Sequence, residues 1–338
     1  MAKRSIRGKQ ASLMALTLGK KNPRGSVGLD LDGAFVAAVQ AQDGRISRAA
    51  SMELPSGVIT DGEVANVDRL TESLKSFFKE NDLPTRVRLG VSNQQIVVRH
   101  LELPLIEEEA ELAAAVRFQA AEAIAMPLDE AVLDYQVVGQ ATSAEGSPRL
   151  RVVVVAARQA MIERFVEGVR GAGLKPEGID LNAFALVRAL AKPEGAAPAP
   201  VAEDEFGIAP TQDLACVYCH LGGVTNLAVA VGSNCLFTRP LSTDWSDAGE
   251  HVASALAEEI RLSIDFYMAQ PDARPVGEVQ LSGPGSTHEG LAQELSALIH
   301  LPVAVADPLG GLDVNGALDG EDPHRHTVAA GLALGAAA

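Results

Sequence analysis

The chain has 338 residues, with 28 Lys and Arg against 44 Asp and Glu, a formal net charge of −16, three Cys and 47% hydrophobic residues. That acidity excludes a general nucleic-acid binder, which needs a basic face to displace counterions. Three Cys exclude a disulfide framework and point to a reducing compartment, the cytoplasm, and no run of about 18 apolar residues is present to span a membrane.

Residues 1–25 carry Lys3, Arg4, Arg7, Lys9, Lys20, Lys21 and Arg24 and no acid. They read as a flexible, solvated leader, the alternative being a tail drawn to anionic lipid. From Ser26 to Gln40 the pattern predicts a strand, a turn at Asp32-Gly33 and a second strand. Asp43-Gly44 then turns the chain into a third strand over Ile46–Leu54. Leu70, Leu74, Phe77 and Phe78 fall on one face of a helix over Leu70–Asn81. Arg86–Ser92 and Gln95–Leu103 are strands, and Ile106–Ala125 is an Ala/Glu-rich helix with Glu107 to Glu109 favourable at its N-terminus. Strands at Leu133–Val138 and Leu150–Ala156 precede a helix over Arg158–Ala172 and an element over Gly178–Ala191 that ends helical. Residues 192–212 are Ala-, Pro- and acid-rich and read as a linker. Beyond them lie strands at Ala215–His220, Asn226–Val231 and Cys235–Pro240 and a helix over Ala248–Gln270. A strand (Glu278–Ser282), a helix (Glu289–Ile299), a strand (Val303–Val305) and a helix (His326–Leu334) complete the series.

The two parts open alike. Gly33 and Gly223 occupy equivalent first turns, and Val87–Gly90 and Val279–Ser282 equivalent later strands. The pattern predicts a duplicated α/β domain, the first copy carrying an extra segment from about Asn93 to Gly173. Two such domains face each other across a cleft. Hairpin amides suit phosphate oxygens there, and Ser282-Gly283-Pro284-Gly285, between strand and helix, lets a flat ligand approach the backbone.

These residues resemble the actin, sugar-kinase and chaperone superfamily, and more narrowly the PilM family, FtsA-like proteins of type IV pilus assembly. The carrying stretches are Gly28–Leu31, Leu101–Pro104, Ala115–Ala120 leading to Met126–Tyr135, and Glu258–Tyr267. The resemblance implies an actin-like fold of duplicated RNase H-like domains with an FtsA/PilM-type inserted subdomain. The first domain would comprise 26–92 plus 173–191, the insertion 93–172, and the second domain 213–338 with a small part at about 242–275. It implies ATP with Mg2+ in the cleft, held by Asp30, Gly33, Gly222, Gly223, Thr225, Asn226, Glu258, Arg261, Gly283, Pro284 and Gly285, with Asp30 reaching the metal through water. It also implies a partner, the cytoplasmic tail of a PilN-like single-span protein, in a groove beside the insertion at the inner face of the cytoplasmic membrane. Val97, Leu101, Leu103, Val116, Phe118 and Ile124 are the candidate liners, with core packing the competing role for each. An acidic body suits a partner carrying basic residues.

The sequence departs from that family at both phosphate turns. Where the family has Gly, the first turn has Asp32, a carboxylate in the place of phosphate that is repulsive unless a metal sits between them. The family's Lys is Ala37, and its second-turn Asp is His220. Asp30 and Asp32 share one side of a strand, as a metal pair or as a strand-end turn pair. His220 reads as a buried, hydrogen-bonded histidine rather than a catalytic base. Cys216 and Cys219, three apart on a strand, point to opposite faces and read as buried thiols. His324 and His326 read as a solvated loop. The expected function is a pilus-assembly adaptor that binds ATP with little or no hydrolysis. The alternatives are a nucleotide-free scaffold and an FtsA-like membrane-associated filament protein. A sugar kinase, which needs a carboxylate base beside an intact phosphate turn, fits worst.

Overall fold

Glycine turns with positive φ set the opening meander of each half: Gly33 (φ +107°) and Gly44 (φ +76°) in the first, Gly232 (φ +54°) in the second. The computed structural model describes residues 27–42, 44–143, 146–191, 214–243, 245, 251–270, 273–314 and 316–335. The expected leader (1–25) and linker (192–212) lie outside the described residues.

In the first half β1 (Val27–Leu31), β2 (Phe35–Gln42) and β3 (Arg45–Glu53) form an antiparallel meander. Parallel strands β6 (Arg86–Val91) and β10 (Lys175–Leu181) extend it, giving the order β3-β2-β1-β6-β10. In the second half β11 (Ala215–His220), β12 (Asn226–Val231), β13 (Asn234–Pro240), β14 (Val276–Ser282) and β15 (Val303–Val305) repeat it as β13-β12-β11-β14-β15. The duplication read from the turn spacing is therefore present strand for strand. A short hairpin, β4 (Ile59–Thr60) and β5 (Glu63–Val64), was not expected; two-residue strands leave no period to read.

Helices α1 (Val67–Glu80) and α5 (Val252–Met268) follow the third strand of each half. α1 starts where the Asn66 side chain accepts from Arg69 N at 3.0 Å, and it buries Leu70, Leu74, Phe77 and Phe78. Between its fourth and fifth strands the second half has a short 3-10 helix (Pro284–Thr287) and α6 (Leu291–Ile299). The first half instead carries β7 (Val97–Pro104), α2 (Glu109–Ala123), β8 (Ala131–Thr142), β9 (Pro148–Arg158) and α3 (Gln159–Gly171). Its three strands make a separate antiparallel sheet, β7-β9-β8. One face packs on α2 through Leu103, Leu112, Val116, Ala120, Val152 and Val154, while Val153 and Val155 join the core of the first half.

The last helices bind the halves together. α4 (Asn182–Leu190) packs on β12 and on α7 (Thr327–Leu334), and α7 lies across β1 and β2. Two glycines permit this. A Cβ on Gly28 would lie 2.0 Å from Ala329 O, and one on Gly331 would lie 1.9 Å from Ala185 O. No helix among the described residues is long and apolar enough to cross a membrane.

Candidate functional site

The duplicated central strands end at matching places. Asp30 lies near the end of β1 and His220 closes β11, separated in sequence by the same interval as Gly33 and Gly223. Across the cleft these ends converge: ligand atoms of Asp30, Asp32 and His220 lie within 4.8 Å of one another, all three residues buried. Asp30 Oδ1 accepts from Asn182 Nδ2 at 3.1 Å, while Oδ2 is buried without a partner. His220 Nδ1 lies 3.0 Å from Ser282 Oγ, and its Nε2 is likewise buried without a partner. Burial, then the Asp32 charge, drives the Asp30 carboxyl well above its ordinary range, with the Asn182 hydrogen bond opposing. Burial, then His324, pushes His220 down to about 4, so its ring is neutral at pH 7. It is thus a buried, hydrogen-bonded histidine.

The two expected phosphate turns touch each other. Gly223 N–H donates to Asp32 Oδ1, so the carboxylate takes an amide expected to serve phosphate. A Cβ on Gly223 would lie 2.7 Å from Asp32 O and 2.9 Å from Ala34 N, which leaves no gap between the turns there. Asn226, at the start of β12, also crosses the cleft, its Oδ1 accepting from Ser92 Oγ. Thr225 turns away and donates to Thr243 O at 2.9 Å.

The turn expected to take a base is covered as well. Gly283 holds φ +83°, and Gly285 abuts the Trp245 ring, which a Cβ there would meet at 2.5 Å. Trp245 Nε1 donates to Gly222 O at 2.9 Å, so the indole spans the second phosphate turn and the base turn. Pro284 opens a short 3-10 helix between them and α6. Glu258 and Arg261 are exposed on α5. Their neighbour Glu259 faces inward instead, accepting from Ser242 N at 3.0 Å and from the Ser242 hydroxyl, which pins the segment leading to Trp245. Sequence reasoning missed Trp245, Glu259 and Asn182. The one available signal was the chain's only Trp in a polar stretch between strand and helix.

His324 and His326 correct another expectation, since the segment is not a solvated loop. His326 is fully buried, with Nε2 3.1 Å from Glu321 Oε2, and His324 Nδ1 lies 3.3 Å from Ser286 Oγ on the cleft wall. Of the free thiols Cys219 is buried as read, whereas Cys216 and Cys235 are only partly buried. Cys219 lies in the core and Cys216 packs on the opposite face near Cys235; burial pushes Cys219 and Cys235 up to about 12, which keeps them protonated and inert.

A second concavity runs beside the inserted sheet. β7 and β13 are each the outermost strand of their sheets, and they approach without pairing. Between them lies a groove of about 680 Å³, lined by Ile96–His100 of the β7 side, Leu236–Pro240 of β13, and Phe266 from α5. Phe266 is 63% exposed and packs on Phe237 at 5.6 Å between ring centroids. The lining includes Arg99 and Arg239 and no Asp or Glu, so its charge is opposite to that of the acidic body. A basic partner tail, expected from the net charge, does not match this surface.

Of the six candidate liners only Val97 borders the groove. Leu103, Val116 and Ile124 are buried in the α2 core, Leu101 is partly buried against it, and Phe118 is 71% exposed on the outer face of α2. For Leu101 and Leu103 the physical reason is the period of two, which puts both on the face that α2 covers.

Compared with known proteins, the chain matches the family model described as "Type IV pilus assembly protein PilM" over residues 28–221 and 250–337. Among solved structures it resembles a PilM–PilN type IV pilus biogenesis complex at TM-score 0.74, with 24% identity covering 93% of this chain and 98% of that one. The ethanolamine utilization protein EutJ from Carboxydothermus hydrogenoformans matches at TM-score 0.50 and 13% identity, covering 94% of this chain and 92% of that one. The fold is the actin-like one, as the resemblance implied.

Proposed function

We propose that this chain, which belongs to the PilM family of type IV pilus assembly proteins, is an adaptor at the inner face of the cytoplasmic membrane, holding the cytoplasmic tail of a PilN-like membrane protein between β7 and β13. One observation carries this reading: two outermost strands flank an open groove with apolar and cationic lining. Strand edges carry unpaired N–H and C=O groups, which an extended peptide can pair with. Phe237 and Phe266 offer apolar surface for its side chains, and Arg99 and Arg239 favour an acidic residue in the bound segment. The likeness to a PilM–PilN complex supports the choice of partner.

For the cleft, the residues argue against a triphosphate. Asp32 occupies the Gly223 amide, the turns meet, and Trp245 lies on Gly285. These observations favour the nucleotide-free alternative over an adaptor that binds ATP with Mg2+. A nucleotide would first have to displace the indole and the carboxylate.

The test is fluorescence anisotropy of a labelled synthetic peptide spanning the PilN-like partner's cytoplasmic tail. Saturable binding is expected, weakened by Phe266→Ala, and unchanged by Mg-ATP. Equal binding to Phe266→Ala and Phe237→Ala variants would place the peptide elsewhere. Heat of binding on titrating Mg-ATP into the protein would restore the nucleotide reading.

A further inference from the structure

We infer that Asp30, Asp32 and His220 form a binding site for one divalent transition-metal ion, taken up without nucleotide, that clamps the two halves of the molecule across the cleft. Asp30 and His220 are each tied at one atom and leave a second without a partner, and a carboxylate oxygen of Asp32 lies within 4.8 Å of their ligand atoms. Asn182 Nδ2 donates to Asp30 Oδ1, leaving Oδ2 buried without a partner. Ser282 Oγ engages His220 Nδ1, leaving Nε2 buried without a partner. With Nδ1–H donating to that hydroxyl, the Nε2 lone pair faces the carboxylates. Gly223 N–H holds Asp32 Oδ1. Gly222 clears the space: a Cβ there would lie 2.1 Å from Asp32 Oδ2 and 3.2 Å from His220 Nε2.

The arrangement has the marks of a metal site. Outer hydrogen bonds orient ligands and fix the imidazole tautomer. Two carboxylates and a neutral imidazole carry a charge of −2, matched by a divalent ion. Without one, Asp30, at 0% exposure, keeps Oδ2 without a partner, and no Lys or Arg pairs with it among the described residues. An imidazole among the donors favours Zn2+, Fe2+, Ni2+ or Cu2+ over Mg2+, so this is not the magnesium that would accompany a nucleotide. Asp30 and Asp32 belong to the first half and His220 to the second, so the ion bridges them. The inference does not depend on the peptide groove.

The test uses the full chain, stripped with a chelator and desalted, then titrated with Co2+, read by visible absorption, and with Zn2+, read by calorimetry, in the absence of nucleotide. One equivalent is expected, with a saturable rise in melting temperature. Loss of an outer partner of a metal ligand costs roughly 10–100-fold in affinity. His220→Gln and Asp32→Gly remove ligands themselves and should weaken binding by at least that much. Circular dichroism and gel filtration establish that both variants fold. Retention of wild-type affinity by folded His220→Gln would overturn the proposal. So would absence of stoichiometric Co2+ and Zn2+ binding. Uptake of metal only together with ATP would overturn it and the nucleotide-free reading at once, whereas failure of both metal and ATP to bind would overturn the metal site alone.

Discussion

At the cleft, the ends of β1 and β11 meet turn against turn, and Asp32 and Trp245 satisfy the amide and carbonyl of Gly223 and Gly222. Along β7 and β13, two outermost strands approach without pairing and leave about 680 Å³ between them. The difference follows from what burial demands. Polar groups in a closed cleft need partners, and here the chain supplies them for the turn backbone but not for Asp30 Oδ2 and His220 Nε2. Strand edges at a surface are satisfied by water and can exchange it for a peptide. In this duplicated scaffold the open groove therefore lies beside the inserted sheet, while between the repeated sheets the space narrows to that facing Asp30 Oδ2 and His220 Nε2.

The largest expected effect tests the closed side. Gly223→Val would drive side-chain atoms into Asp32 O and Ala34 N, contacts made by backbone that cannot swing aside. Overpacking of this kind costs about 1–3 kcal/mol, and chemical denaturation should show a loss of at least that size. Peptide affinity at the groove should hold. A variant as stable as wild type would mean that the turns do not touch.

Next is the open side. Phe266 is 63% exposed, so Phe266→Ala should leave stability within about 0.5 kcal/mol. An aromatic anchor in an interface is worth about 1–2 kcal/mol or more, so peptide affinity should fall roughly tenfold. The two variants together make a crossed pattern: one loses stability and keeps binding, the other the reverse.

Acid should loosen the cleft wall before the groove. Glu321 titrates at about 2, below its ordinary 4.5, first because His326 hydrogen-bonds it, with Ser51 adding and burial opposing. A carboxyl depressed by folding contributes stability above its unfolded value and loses it as pH falls from about 5 toward 2. For a carboxylate 24% exposed the screened contribution is about 1 kcal/mol. Melting temperatures from pH 6 to pH 3 should fall more steeply for wild type than for Glu321→Gln. Parallel curves would remove this pair from the wall's stability.

Much of the fold was legible because turn glycines and period-two runs are local signals. Gly33, Gly44, Gly232 and Gly283 all sit at positive φ, and the strands they separate fell where alternation put them. Asp32 and His220 were legible as departures, and both proved central to the cleft. What stayed hidden depends on packing between distant segments. Nothing local tells that α7 crosses to β1, that Trp245 reaches Gly285, or that Glu259 rather than Glu258 turns inward. Alternation along β7 separates two faces but does not say which one a helix will cover.

Phe118 is the sharpest case of that ambiguity, and it yields the smallest expected effect. On α2 the buried positions are Leu112, Val116 and Ala120, at steps of four. Phe118 lies two residues from Val116, about 200° around the helix, and so faces solvent at 71% exposure. An exposed aromatic on an acidic helix is an attractive peptide contact by sequence alone. The groove, however, lies on the β13 side of the inserted sheet and draws nothing from α2. Phe118→Ser should therefore change stability by no more than about 0.5 kcal/mol and leave the affinity for the PilN-like tail peptide unchanged in the same anisotropy assay. A loss of affinity matching that of Phe266→Ala would move the peptide onto α2 and remove the contrast between cleft and groove, because the partner would then be held by a helix face and the edges of β7 and β13 would serve no ligand.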